Sequence, residues 1–410
     1  MLLRLFRRPA AWLLALALIS PSIVRAQSGA PYIDRELFDD WTLICDNGRR
    51  CTAVGLPTEA TRGGLGADAL LTIVRDPQVE AQPRVEIVIP YWEGPGSGGR
   101  WALADASGKP IIPPLSARFA PATHVLRIGL PPTSIDTLLG ARREVALSAA
   151  SGKPTIALSL LGMRSALTRL DEVQGRSGGV TATASKGPRP ASELPAPPTL
   201  QVVRKAPRSR TTPPRLKPPA ALVALSGQLS ALDICSGMAN GVPAETVWGP
   251  YQLDDKTLLW TIWCAPGGNK GFNQTDVPVL SALDGSALRL PAFEGDPTPA
   301  TPRKIMRSRA KDETDLWVPT LTGFTFYDST GVVEQSDISA TIAESSGRFE
   351  RYVWTGRLMV LFESSDVSVP TADGSSNAAP YFGVWPPNYR AIVKPAKTVR
   401  RPARPAAPPR

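Results

Sequence analysis

The chain has few of the residues on which most hydrolytic and metal chemistry depends. Its 410 residues include one histidine, His124, four cysteines and five methionines. Any Ser-His-Asp or Cys-His nucleophile system would have to use His124. That residue sits in an apolar, strand-like stretch, where a packed histidine is the simpler assignment. A single histidine and the lack of any Cys-x-x-Cys pair leave a zinc-type centre without a ligand set. No His-Glu-x-x-His, Walker-type phosphate loop or dinucleotide fingerprint occurs, so no cofactor or metal is expected. Past the first 26 residues, no apolar run approaches the about 20 residues that a membrane-spanning helix needs.

Residues 1–26 read as a secretory signal peptide. Arg4, Arg7 and Arg8 form a basic start, Ala10 to Ile19 an apolar run, and Val24-Arg25-Ala26 a small-residue cleavage site before Gln27. The expected location is periplasmic or secreted. In such an oxidising compartment four cysteines are most simply two disulfides, and chain order favours Cys45–Cys51 and Cys235–Cys264. A redox-active thiol pair is the weighed alternative. It lacks both the two-residue spacing and a helix start to lower a thiol pKa.

Charge is distributed unevenly. The formal net charge is +10, yet the signal holds +4, residues 183–219 about +7 and the stretch from Arg390 another +7, so the remainder is near −8. The basic pI therefore belongs to segments expected to lie outside the folded bodies. A nucleic-acid partner is not expected in an exported chain.

The best-defined local element is Phe38–Cys51. Two apolar-flanked strands should turn at Asn47-Gly48, the pair suited to positive φ, with Cys45 and Cys51 bridged across them. A first domain is expected over 31–176, built of antiparallel strands. It should close with a helix over Met163–Gln174, whose Met163, Ala166, Leu167, Leu170 and Val173 share one face. In that reading Arg164, Arg169, Asp171 and Glu172 point elsewhere. Residues 177–219 are rich in proline, serine, threonine, alanine and basic side chains, and are expected to be a solvated, disordered linker. A second domain is expected over 220–392. It would open with a helix carrying Leu222, Leu225, Leu229 and Leu232, and a disordered basic tail would occupy 393–410. The fold class expected is β-rich α+β: two disulfide-stapled domains, each of antiparallel strands with one or two packing helices.

The remaining chemical candidates are weak. Asp39-Asp40, Asp254-Asp255 and Asp312-Glu313 are adjacent carboxylates of the kind that normally solvate turns. Glycosidase pairs are recognised by separation in space, which sequence does not give. Gly267-Gly268-Asn269-Lys270-Gly271 could cradle an anion, although a loop bounded by a disulfide is the commoner meaning.

Taken together, Phe38–Cys51, Cys264 with Gly267-Gly268-Asn269, Trp354-Thr355-Gly356 with Leu358 and Leu361, and Trp385-Pro386-Pro387-Asn388-Tyr389-Arg390-Ala391 resemble a family of bacterial exported proteins, domain-of-unknown-function family 1176. The hairpin and closing helix are also similar to the invasion-associated locus B family. The first resemblance implies a periplasmic location and supplies no activity or catalytic residues. Members of that family often carry a further cysteine pair, where this chain has Ser345-Ser346-Gly347 and Gly374-Ser375-Ser376. The function expected is a non-catalytic envelope protein. Its partner would be a protein, an anionic envelope lipid or a wall polymer, engaged through the basic linker and tail. The alternative is a periplasmic hydrolase using carboxylates.

Overall fold

The computed structural model describes residues 33–55, 69–89, 99–121, 125–141, 143–149, 155–208, 216–232, 234–235, 246–265, 274–308, 316–338, 347–366 and 386–395. The signal segment, His124, the 267–271 loop, Asp312-Glu313, both serine-rich stretches, Trp385 and the chain beyond 395 lie outside the described residues. Among the described residues no helix is long and apolar enough to cross a membrane.

The architecture is β-rich α+β, as the sequence leads one to expect. The first sheet has ten antiparallel strands: β1 (Ile33–Phe38), β2 (Trp41–Cys45), β3 (Cys51–Gly55), β4 (Leu70–Arg75), β5 (Arg84–Ile89), β6 (Arg100–Ala104), β7 (Pro110–Ala120), β8 (Val125–Leu130), β9 (Glu144–Ala149) and β10 (Thr155–Ser159). Their order is β1-β2-β3-β4-β5-β8-β7-β6-β9-β10. The first half of β7 pairs with β6 and its second half with β8, so this one long strand turns the sheet. The two ends then meet: the Trp41 indole N–H donates to the Ser159 carbonyl at 3.0 Å, and the Asp40 amide to the Leu161 carbonyl at 3.3 Å. Alternate residues point into one core, among them Leu43, Ala53, Leu71, Ile73, Val85, Ile87, Leu126 and Ile128. Each such large aliphatic side chain contributes about 1.5–3 kcal/mol on burial.

Two helices complete this body, α1 (Ser134–Gly140) and α2 (Met163–Val173). The α2 stripe predicted from spacing is the buried one: Met163, Ala166, Leu167 and Leu170 all join the core. Asp171 does not follow the expectation. It is fully buried, for the reason given below. Thr133 stands at the N-terminal cap position of α1, and Ser134 is its first helical residue. Gly162, at φ +86°, precedes α2 where a Cβ would come within 1.8 Å of the Phe38 carbonyl oxygen, so only glycine admits this approach.

The stapled hairpin forms, with Cys45 and Cys51 directly opposed and bonded, Cα–Cα 4.0 Å. Its turn differs from the expectation, because positive φ falls on Arg49 (61°) and not on Asn47-Gly48. The Asp46 carboxylate explains this. It accepts the Gly48 amide at 2.8 Å and the Arg50 amide at 2.9 Å, while the Arg49 amide reaches the Asp46 carbonyl at 2.9 Å. That bonding selects a common turn followed by one left-handed residue.

The second body is layered. Helices α3 (Ala220–Ala231) and α4 (Pro302–Arg307) cover a four-stranded sheet of β12 (Val247–Gln252), β13 (Thr257–Ala265), β14 (Thr275–Ala282) and β15 (Leu321–Thr322). A five-stranded meander packs on the opposite face: β16 (Thr325–Tyr327), β17 (Val332–Ile338), β18 (Gly347–Trp354), β19 (Met359–Asp366) and β20 (Tyr389–Arg390). Leu259, Leu280, Leu253, Val333, Trp354 and Met359 fill the space between the sheets. Cys235, just past α3, is bonded to Cys264 on β13, Cα–Cα 4.2 Å.

The expectation of a solvated linker over 177–219 is corrected for most of its length. Residues 177–208 are packed, with Ala182, Thr183, Val203 and Ala206 all buried. Val202–Lys205 forms a strand, β11, that pairs in parallel with β21 (Ile392–Pro395), whose last three residues were expected to be tail. The outer face of the meander supplies the apolar cover for this ribbon, where Val203 and Val393 meet Val353, Val360 and Phe362. A four-residue strand with exposed basic neighbours has too little periodicity to be read without its partner.

The hairpin is also tied to the meander. Asn47 Nδ2 donates to the Arg390 carbonyl at 3.0 Å and Asn47 Oδ1 accepts the Arg390 amide at 2.8 Å, so one side-chain amide pairs like a strand. The Arg390 guanidinium also forms an ion pair with buried Asp46. Arg390 ends a row of opposed residues across the meander, Glu334, Arg351, Glu363 and Arg390. Their charges alternate in sign and continue into Asp46.

Candidate binding cleft

A concavity among the described residues lies where residues 180–186 run past the end of β4 and the start of α1. It is a cleft of about 270 Å³. Its apolar walls come from Val79, Pro83, Pro132, Ile135, Val180 and Ala182. Its polar lining includes Arg75, Thr181, Thr183, Lys186 and Asp136.

Asp171 builds the strap that roofs it. Its carboxylate accepts the Thr183 amide at 2.7 Å, the Ala184 amide at 2.8 Å and the Ser185 amide at 3.1 Å, with the Ser185 hydroxyl also at 3.1 Å. Three successive backbone amides converging on one buried carboxylate fix the chain far more firmly than apolar contact over so short a run. Arg189 adds a second anchor, donating to the Gly175 and Ser177 carbonyls.

Beneath the strap lie two guanidiniums. Arg176 is fully buried. Its Nε donates to Gln174 Oε1 at 2.9 Å and its Nη2 to the Pro77 and Gln78 carbonyls, while Nη1 has no partner. Arg75, 4 % exposed, donates from Nη1 to the Thr183 hydroxyl at 2.8 Å, and its Nε has no partner. Burial, with the like charge of Arg176, pulls Arg75 down to about 10, and Asp171 opposes that shift. Burial lowers Arg176 as well. Both groups remain cationic at neutral pH, so two positive charges share one carboxylate. The Thr181 hydroxyl is also buried without a partner. At the mouth, exposed Lys186 pairs with Asp136 at 2.6 Å. Chemically, the cleft sets a guanidinium and two threonines among apolar walls.

The residues singled out from sequence play other parts. The four cysteines are two separate staples, one in each body, and line no common site. Asp39-Asp40 and Asp254-Asp255 occupy turns. Asp254 is committed, accepting the Trp354 indole N–H at 2.6 Å and the Lys256 amide at 2.8 Å. The basic residues 186–208 are largely used inside the fold: Lys205 reaches the Thr330 carbonyl, and Arg208 pairs with Asp328 and lies over the Phe326 ring.

Arg75, Asp171 and Thr181 were missed. The available signal was a charged residue ending the apolar run Leu70–Val74, and a carboxylate beside the α2 stripe just before a Ser/Thr/Gly-rich stretch.

A further buried group stands apart. Asp276 on β14 is 6 % exposed, and burial pushes its carboxyl up to about 7. It also raises the half-buried Tyr251 hydroxyl, whose shift owes most to burial.

No curated protein matches the chain. Among solved structures, the invasion-associated protein B of Bartonella henselae is similar at 18 % identity, covering 34 % of this chain and 98 % of its own, with a TM-score of 0.26. The family model described as "Protein of unknown function (DUF1176)" matches residues 35–388. That span takes in the hairpin, the strap, the four-stranded sheet and all but the last strand of the meander, stopping just short of Arg390, and the chain belongs to this family.

Proposed function

We propose that the chain is an exported, non-catalytic protein of the cell envelope that binds a partner or wall polymer, with the Arg75 cleft as its binding element. The observation that carries this reading is the buried Arg75 guanidinium, lining a cleft with an unpartnered nitrogen. Buried donors are normally satisfied, so an exception beside a cleft calls for an explanation, and a bound group is one. Two closed disulfides fit an oxidising compartment. The carboxylates of Asp46, Asp171, Asp254, Glu334 and Glu350 are each spent on fixed donors, which fits a scaffold better than a proton-transfer site. Adhesion to an anionic surface through the basic linker has less support, because Lys186, Arg189, Lys205 and Arg208 are bonded within the fold.

One observation favours the second reading, a carboxylate-dependent hydrolase. Asp276 titrates near neutrality beside Tyr251, as a general acid or base would. Incubating the mature protein with purified wall fragments tests both readings. Retention that weakens with salt, without release of soluble fragments, is expected. Release of fragments that is lost in Asp276→Asn would establish the hydrolase instead.

A further inference from the structure

Resting on the reading of the cleft as a binding element, we infer that its ligand is a single carboxylate carried on a small apolar body, such as the carboxy terminus of a short peptide. Three features of the site lead there. The first is charge: Arg75 and Arg176 are opposed by Asp171 alone, leaving one buried positive charge that one carboxylate would neutralise. A phosphate, at about −1.5 to −2, would exceed it. The second is donors. Arg75 and Thr181 both line the cleft, a short donor set suited to two oxygens. The usual phosphate cradle of successive backbone amides is not on offer, since the amides of 183–185 are already spent on Asp171. The third is the wall. Val79, Pro83, Ile135 and Val180 make an apolar sleeve, and about 270 Å³ admits a compact group, such as the end of a chain or a single side group of a polymer.

The cation is also pre-organised. Thr183 holds Nη1 at 2.8 Å and is itself fixed through its amide by Asp171 at 2.7 Å, so binding would not have to order the strap. Val180, 59 % exposed at the mouth, offers a place to alter the cleft without touching its buried bonds.

The test is a titration of the full mature protein, followed by amide resonances of residues 180–186, with N-acetylalanine, its neutral amide N-acetylalaninamide, and inorganic phosphate. Saturable shifts are expected with the acid, with at least ten-fold weaker binding of the amide and of phosphate. Val180→Glu, which brings a like charge to the mouth, should weaken the acid at least ten-fold while the protein stays folded. Arg75→Gln should abolish binding, provided its unfolding transition is retained. Equal binding of acid and amide, tighter binding of phosphate, indifference to Val180→Glu, or no saturable shift would each overturn the inference. Wall retention by a protein that ignores the acid would remove the ligand class and leave the wider reading. Binding of the acid without wall retention would do the reverse.

Discussion

At the scale of single residues, the fold keeps several charged groups in its interior and treats them differently. Asp171 is fully buried yet surrounded by donors, whereas Asp276 is buried with its carboxyl raised to about 7 by desolvation. A raised folded-state pKa in an acid means that the native state binds the proton more tightly than the unfolded chain does. Stability from this group is therefore full below about pH 4, falls as pH rises to about 7, and is level above that. Asp276→Asn should abolish that slope and raise stability at pH 8 by roughly 2–4 kcal/mol. Denaturant unfolding of both proteins at pH 4, 6 and 8 checks this, and an unchanged slope in the variant would assign it to another group. Asp276 was not legible in the sequence. It lies second in the strand Thr275–Ala282, and only the opposing sheet reveals that its face is covered.

At the scale of elements, what the sequence disclosed follows from whether a segment carries its own periodicity. Helix α2 and strands β4, β5, β8, β13 and β19 have strong apolar patterns and were readable. Strand β7 was not, because Pro110, Pro113 and Pro114 argue against pairing; the strand accommodates them with a shifted register against β6. Strand β17 hid behind Glu334-Gln335-Ser336-Asp337. Its Glu334 is buried because Arg351, opposite on β18, donates to it at 2.7 Å and the Tyr327 hydroxyl at 2.9 Å. Strand β11 was read as linker for the same reason: its partner, β21, lies almost 190 residues away. Val203→Asp separates the two views of this segment. Val203 is 3 % exposed among Val353, Val360 and Val393, so an unpaired carboxylate there should cost about 3–5 kcal/mol. A solvated linker would tolerate the change within about 0.5 kcal/mol. The shift of the chemical denaturation midpoint distinguishes them.

For the whole molecule, the stapled hairpin and the strap act together. The hairpin turn meets Arg390 through Asp46 and Asn47, and the strap's Leu200 lies over Gly48, where an added Cβ would come within 2.9 Å of it. The basic segment thus belongs to the folded body for most of its length, and the cleft exists because the strap is held there. Hydrogen exchange at the amides of Thr183, Ala184 and Ser185 tests this most directly, since all three are bonded to the Asp171 carboxylate. The account predicts protection comparable with that of the β4 and β5 amides, largely lost in Asp171→Ala. Exchange of these three amides at the rate of an unstructured peptide in the native protein would contradict it.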